Sequence, residues 1–231
     1  MTNIEKWGEE VNRIVYQRWS SYNWKSGFKI YFSSIYINPP LLILTLNPGG
    51  DGTNFRNEDL PKFEKGDFSV QSFHSYLKPR DPKNKMALAV RDLFGNDELL
   101  KNTVVIPILF FRSKNYDQWK KEFAKLNSEK IREEAEQLSY TMARKIIQKV
   151  KPKKILMVSF KTLDKVIENT IMMVELNNIE YGYYGKSKQR VFAVGKYGKI
   201  PVFCIRHLTG AIPKKQDMIK MKQEFLKFLK Q

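Results

Sequence analysis

The sequence predicts an α/β protein: a three-layer α/β/α sandwich around a mainly parallel sheet. Three observations lead there. Apolar runs too short for helices, such as Leu41–Leu46, alternate along the chain with longer amphipathic stretches. Leu41–Leu46 carries apolar or β-branched residues at every position, as strands covered on both faces do. Polar segments rich in glycine or charge follow at their ends, and in parallel sheets ligands sit beyond the carboxyl ends of the strands.

Residues 3–20 place Ile4, Trp7, Val11, Ile14, Val15 and Trp19 at helical spacing with charges between. An amphipathic helix is expected there, within an N-terminal helical extension of about residues 1–30. Leu41–Leu46, bounded by Pro39-Pro40 and Pro48-Gly49-Gly50, reads as the first buried strand. After a glycine- and charge-rich stretch, a helix is expected from Lys83 to Phe94, stopped by Gly95. Thr103–Phe111 gives a second buried strand, interrupted by Pro107. Residues 117–150 form one or two helices. Lys153–Phe160, Val191–Val194 and Pro201–Ile205 supply further short strands, with helices near 161–176 and 214–230.

The chain of 231 residues suits one domain, 1–231, and its 42% hydrophobic and 13% aromatic content is ample for a core. Forty-one Lys and Arg against twenty-four acids leave a net charge of +17, which opposes compaction unless a polyanion is the usual partner. Nucleic acid is the obvious candidate, although a lysine-rich proteome would produce the same excess. The single cysteine, Cys204, lies in an apolar run and has no partner for a disulfide, which fits a reducing cytoplasm. Glu5, Lys6, Glu9 and Glu10 occupy the place of a leader's apolar segment, and no run approaches a membrane span.

Two polar loops follow strands. Asn47-Pro48-Gly49-Gly50 combines residues that permit φ > 0 with a stiffening proline, so an asparagine amide and bare peptide groups can be held in fixed positions. It is neither a Walker loop nor a dinucleotide fingerprint, and an ordinary tight strand exit uses the same residues. His207, one of two histidines, follows the Pro201–Ile205 strand beside Arg206. It is placed either to assist a leaving group or to serve as a hydrogen-bonded structural residue. His74 sits in a loop with less context, and no side chains have metal-ligand spacing.

These residues resemble the uracil-DNA glycosylase superfamily. Thr45-Leu46-Asn47-Pro48-Gly49 is similar to the Gly-x-Asn-Pro-Gly-like loop after its first core strand, with the leading glycine replaced. Gly66-Asp67-Phe68-Ser69-Val70 is similar to its Gly-x-x-Phe-Ser-Val segment with one residue fewer, and His207-Leu208-Thr209-Gly210 resembles its His-Pro-Ser-Pro motif without the prolines. The likeness covers roughly Leu41 to Lys214 and implies a mainly parallel four-stranded sheet, a DNA partner, no cofactor and a monomer. The function implied is hydrolysis of the N-glycosidic bond of a flipped-out damaged or modified base, for repair or, with a phage-type modified base, for defence.

On this resemblance Asn47 and the Pro48 carbonyl hold the attacking water, with Asp51 as an alternative activator. Phe68 stacks on the base ahead of Phe55, and His207 hydrogen-bonds its oxygen; Gly49 lets the base approach. The middle strand's end, Val105–Arg112, lacks the asparagine that reads uracil, so Arg112 or Asn115 is expected to read another base. Leu208 is the expected wedge, and Arg206, Thr209, Lys214, Lys215, Lys186, Lys188 and Arg190 are expected to contact DNA, although surface lysines are commonly just solvated. Two rivals stay open: a non-catalytic DNA-binding module of the same fold, and an enzyme acting on a small phosphorylated ligand.

Overall fold

The computed structural model describes residues 2–77, 85–169, 176–184, 189–208 and 215–231, with the backbone alone described at 176–179, 183, 184, 189 and 215–217. In chain order the elements begin with α1 (Asn3–Trp19), β1 (Leu41–Thr45), a π-helical turn at Phe55–Asp59 and α2 (Leu60–Glu64). Then come α3 (Lys85–Phe94), α4 (Asp97–Lys101), β2 (Thr103–Pro107), α5 (Tyr116–Asn127) and α6 (Glu129–Val150). The chain continues through β3 (Ile155–Val158), α7 (Phe160–Glu168), β4 (Leu176–Tyr184), β5 (Gln189–Tyr197), β6 (Ile200–Ile205) and α8 (Lys215–Lys230).

The strands form one mixed sheet in the order β2-β1-β3-β6-β5-β4. β2, β1, β3 and β6 run parallel, and β5 and β4 continue the sheet antiparallel. The α/β class stands, but a four-stranded sheet is too small a description, because β4 and β5 add an antiparallel pair. Of the helix expected near 161–176, α7 ends at Glu168, and Leu176 already belongs to β4. Other expected elements are trimmed at described ends or, like β5, extended, while Lys83 and Asn84 before α3 and Lys214 before α8 lie outside the described residues.

Side chains alternate across the sheet as the pleat requires. Leu42, Leu44, Ile155, Met157, Val202 and Cys204 face a cluster with α1, α5, α6 and α7, while Leu41, Ile43, Leu156, Phe203 and Ile205 face α3, α4 and α8. Both faces are therefore covered, which explains why the strands are apolar throughout. α1 belongs to this core: Thr2 and Glu5 form its capping box, and Val11 and Val15 are fully sealed against the sheet layer.

β2 lies at the sheet's edge, which is where Pro107 is tolerated. That edge is closed by residues 28–33: Phe32 N–H donates to the Val105 carbonyl at 3.0 Å, and Val105 N–H donates to Ser33 Oγ at 2.9 Å. Beyond Pro107 the buried run Ile108–Phe111 leaves the strand but still follows β1's exit, with Ile108 N–H on the Thr45 carbonyl at 2.8 Å and Leu109 N–H on that of Leu46 at 2.9 Å. The exits of β1 and β2 are thus laced together before either loop begins.

Candidate functional site

The Asn47 loop, the Arg112 segment and His207 leave β1, β2 and β6 at their carboxyl ends and line a single cleft of about 820 Å³. Its other walls come from residues 28–32, the 49–54 turn, Asp59 and Phe63 around α2, and residues 69–76. The two distant polar loops do share one cavity.

Asn47 is held firmly. Its Nδ2 donates to the Pro48 carbonyl and to the Ser113 carbonyl, both at 3.1 Å. With the amide nitrogen so occupied, Oδ1 is the atom left to accept, so Asn47 offers the cleft an acceptor. The Pro48 carbonyl receives a second bond, from Ser113 N–H at 3.1 Å. Both its lone pairs are therefore engaged, and it is not free to hold a water as expected. Pro48 itself is buried, Gly49 is exposed in the cleft, and Arg112 Nη1 donates to the Gly49 carbonyl at 3.1 Å. Gly50 and Gly52 take φ of +97° and +87°, and a Cβ at Gly52 would lie 2.5 Å from Ser26 backbone atoms. The glycines thus serve the loop's path as much as ligand access.

Asp51 lines the cleft but is fully exposed. Its Oδ1 accepts from Thr53 N–H at 2.9 Å and Thr53 Oγ1 at 2.7 Å, and these bonds hold its carboxyl below the ordinary range. A carboxylate so stabilised is a weaker base. His207 is exposed as a residue, yet its imidazole is desolvated enough that burial pushes it below the ordinary value, favouring the neutral ring.

Several expected residues lie elsewhere. Phe68 does not line the cleft: its ring packs on Phe63 and Tyr16, each at 5.5 Å between centroids, beneath the Arg13 guanidinium. Phe55 is sealed in the core against Trp19 and Phe28. Phe28, Phe63 and the exposed Phe73 are the phenylalanines that, with Phe32, reach the cleft walls. Asn115 caps α5, accepting from Gln118 N–H at 2.8 Å, and also stands outside the cleft.

Leu208 is half-buried against the α3/α8 side of the core, so it does not project as a wedge. Arg190 stacks over Phe160 at 4.9 Å and Tyr181 at 5.3 Å, and Arg206 is half-buried with its N–H on the Val191 carbonyl at 3.1 Å; neither lines the cleft. Thr209, Lys186, Lys188 and Lys214 lie outside the described residues, as does the Lys215 side chain at the start of α8.

Of the cations that line the cleft, the sequence reading named Arg112 and missed Lys29, Lys62, Lys85 and Lys114. Lys62, Lys85 and Lys114 are exposed there, whereas Lys29 and Arg112 are deep. Lys29 Nζ meets Asp59 Oδ1 at 3.1 Å and Oδ2 at 3.4 Å, and Arg112 Nη2 stands 4.0 Å from Asp59 Oδ2. These side chains are only 20%, 17% and 11% exposed for Lys29, Asp59 and Arg112, so the charges act through a low-dielectric surrounding. Burial pushes both cations below their ordinary range, with Asp59 opposing it. Lys29 carried a legible signal, a lone charge inside Gly27-Phe28-Lys29-Ile30-Tyr31-Phe32; Asp59, within Arg56-Asn57-Glu58-Asp59, carried none.

His74 is structural. Its Nδ1 accepts from Tyr76 N–H at 3.3 Å and its Nε2 meets Thr103 Oγ1 at 2.9 Å, a buried setting that lowers its imidazole to about 4. Cys204 is buried and its thiol is pushed up by desolvation. Among the described residues no group of His, Cys, Asp or Glu is arranged to hold a metal ion, and no helix is long and apolar enough to cross a membrane. The sequence matches no protein-family model and no curated protein, so the chemistry of the cleft is read from its own residues.

Proposed function

We propose that the protein is a DNA glycosylase that hydrolyses the N-glycosidic bond of a damaged or modified base rotated out of the DNA stack. The observation that carries this reading is the meeting of Asn47 and His207 in one cleft at the strand exits. Bond cleavage develops positive charge on the sugar and negative charge on the departing base, so an acceptor for the attacking water and donors for the base are needed. Asn47 Oδ1 supplies the acceptor, and the neutral His207 ring supplies an N–H donor. Asp51 is set aside as activator by its exposure and its bonds to Thr53.

The +17 charge and the lysines at the cleft suit a phosphate backbone, whose contacts offset the few kcal/mol of unstacking. The test incubates purified protein with DNA carrying uracil, hypoxanthine, alkylated bases or phage-type modified cytosines and measures base release. Asn47→Ala is expected to lower the rate by about 10²–10³-fold while salt-sensitive DNA binding survives. Binding without release by the wild type across the panel would leave a non-catalytic DNA-binding module instead.

A further inference from the structure

We propose that Lys29 and Arg112, braced by Asp59, receive the departing base as an anion, so that the enzyme releases bases according to the stability of that anion. This rests on the glycosylase reading and adds to it the groups that stabilise the leaving base. Two cations share one carboxylate inside the cleft, so the cluster carries a net charge of +1. Among the described residues the Asp59 carboxylate hydrogen-bonds Lys29 alone; Arg112 Nη2 is beyond that reach at 4.0 Å, and Arg112 Nε is buried without a partner. Glu58 and Asp51 also line the cleft, but both are exposed, and solvent screens them.

A partly desolvated pair of cations that one carboxylate offsets only in part is costly, and it is suited to a negative charge that appears only as the bond breaks. In that step the C1′–N bond breaks with its electron pair passing to the base nitrogen. The oxygen of a water bonds to C1′ and the water's surplus proton leaves to solvent; the base anion takes a proton from solvent on release. Donors fixed beforehand stabilise the charge without reorganising, and one such donor is typically worth about 10²–10³ in rate.

The discriminating measurement is base release from paired DNA substrates differing only in leaving-group quality: uracil against 5-fluorouracil, adenine against 2-fluoroadenine, and cytosine against 5-fluorocytosine. Lys29→Gln removes one charge without touching the Asn47 loop. It is expected to slow the unsubstituted base by about 10²-fold and its fluorinated analogue by under about tenfold, because the better leaving group needs less help. Lys29→Arg keeps the charge and is expected to keep most of the rate on both. Asp59→Asn unmasks positive charge and is expected to narrow the rate gap within each pair or leave it as in the wild type, never to widen it, even where its melting temperature falls.

Equal losses on both members of a pair for Lys29→Gln, no loss at all, or an Asp59→Asn profile matching that of Lys29→Gln would each overturn the inference while leaving base release intact. Absence of release by the wild type from every substrate would overturn the glycosylase reading itself, and this inference with it. Circular dichroism melting of each variant separates lost folding from lost chemistry, and Lys29→Arg carries the charge test should Lys29→Gln not fold.

Discussion

Acidification should destabilise the protein through His74, and the size of the effect follows from its contacts. Thr103 Oγ1 donates to the Leu100 carbonyl at 2.8 Å, so it accepts from Nε2–H, while Nδ1 accepts from Tyr76 N–H. A second proton on Nδ1 would face that N–H in a site 9% exposed. The folded value of about 4 lies below the ordinary 6.5. The unfolded chain therefore binds the proton first, and the stability from neutral His74 is complete above pH 6.5 and is lost as pH falls towards 4. With 1.36 kcal/mol per unit, about 2 kcal/mol is gone by about pH 5 and about 3 kcal/mol by about pH 4. The assay is urea unfolding of wild type and His74→Asn between pH 7.5 and pH 4.5, the variant subtracting every other titrating group. Parallel curves for the two proteins would refute the argument. Because Ser72, Phe73, Ser75 and Tyr76 line the cleft, the same proton should loosen its wall.

Two further outcomes are expected of the Asn47 loop. Gly52→Ala should lower stability by about 2 kcal/mol or more, read by thermal melting, since its φ of +87° and the Ser26 backbone at 2.5 Å leave no room for a Cβ. Asp51→Asn should change base release less than about threefold, because on the proposed mechanism Asp51 secures the turn at Thr53 and Asn47 holds the water; a loss comparable to that of Asn47→Ala (about 10²-fold or more) would restore it as the base.

The layered α/β arrangement was legible because burial on both sheet faces writes itself as uninterrupted apolar runs, as at Leu41–Leu46. The strand pair β4 and β5 was harder. Asn177 and Asn178 weaken the apolar pattern of β4, and its pairing with β5 shifts register between Asn177 and Glu180 and again between Gly182 and Tyr183. In the cleft, Asn47, Arg112 and His207 were accessible to sequence reasoning because strand exits announce themselves by a sudden change from apolar to polar. Phe68 misled because local sequence cannot say whether an aromatic ring faces a cavity or, as here, Phe63 and Tyr16. Lys29 and Asp59 meet across thirty residues, and a contact made by folding at that distance has no local signature.

The lacing of the β1 and β2 exits has a consequence for how this protein can diversify. Asn47 and Arg112 are anchored to a shared hydrogen-bonded frame, whereas residues 69–76 reach the cleft from outside the sheet. Insertions or exchanges in that outer segment can reshape what is admitted while the anchored pair keeps its spacing. On the proposed glycosylase reading, selectivity and reactivity would be inherited on different stretches of chain, and variants should drift in the one long before they lose the other.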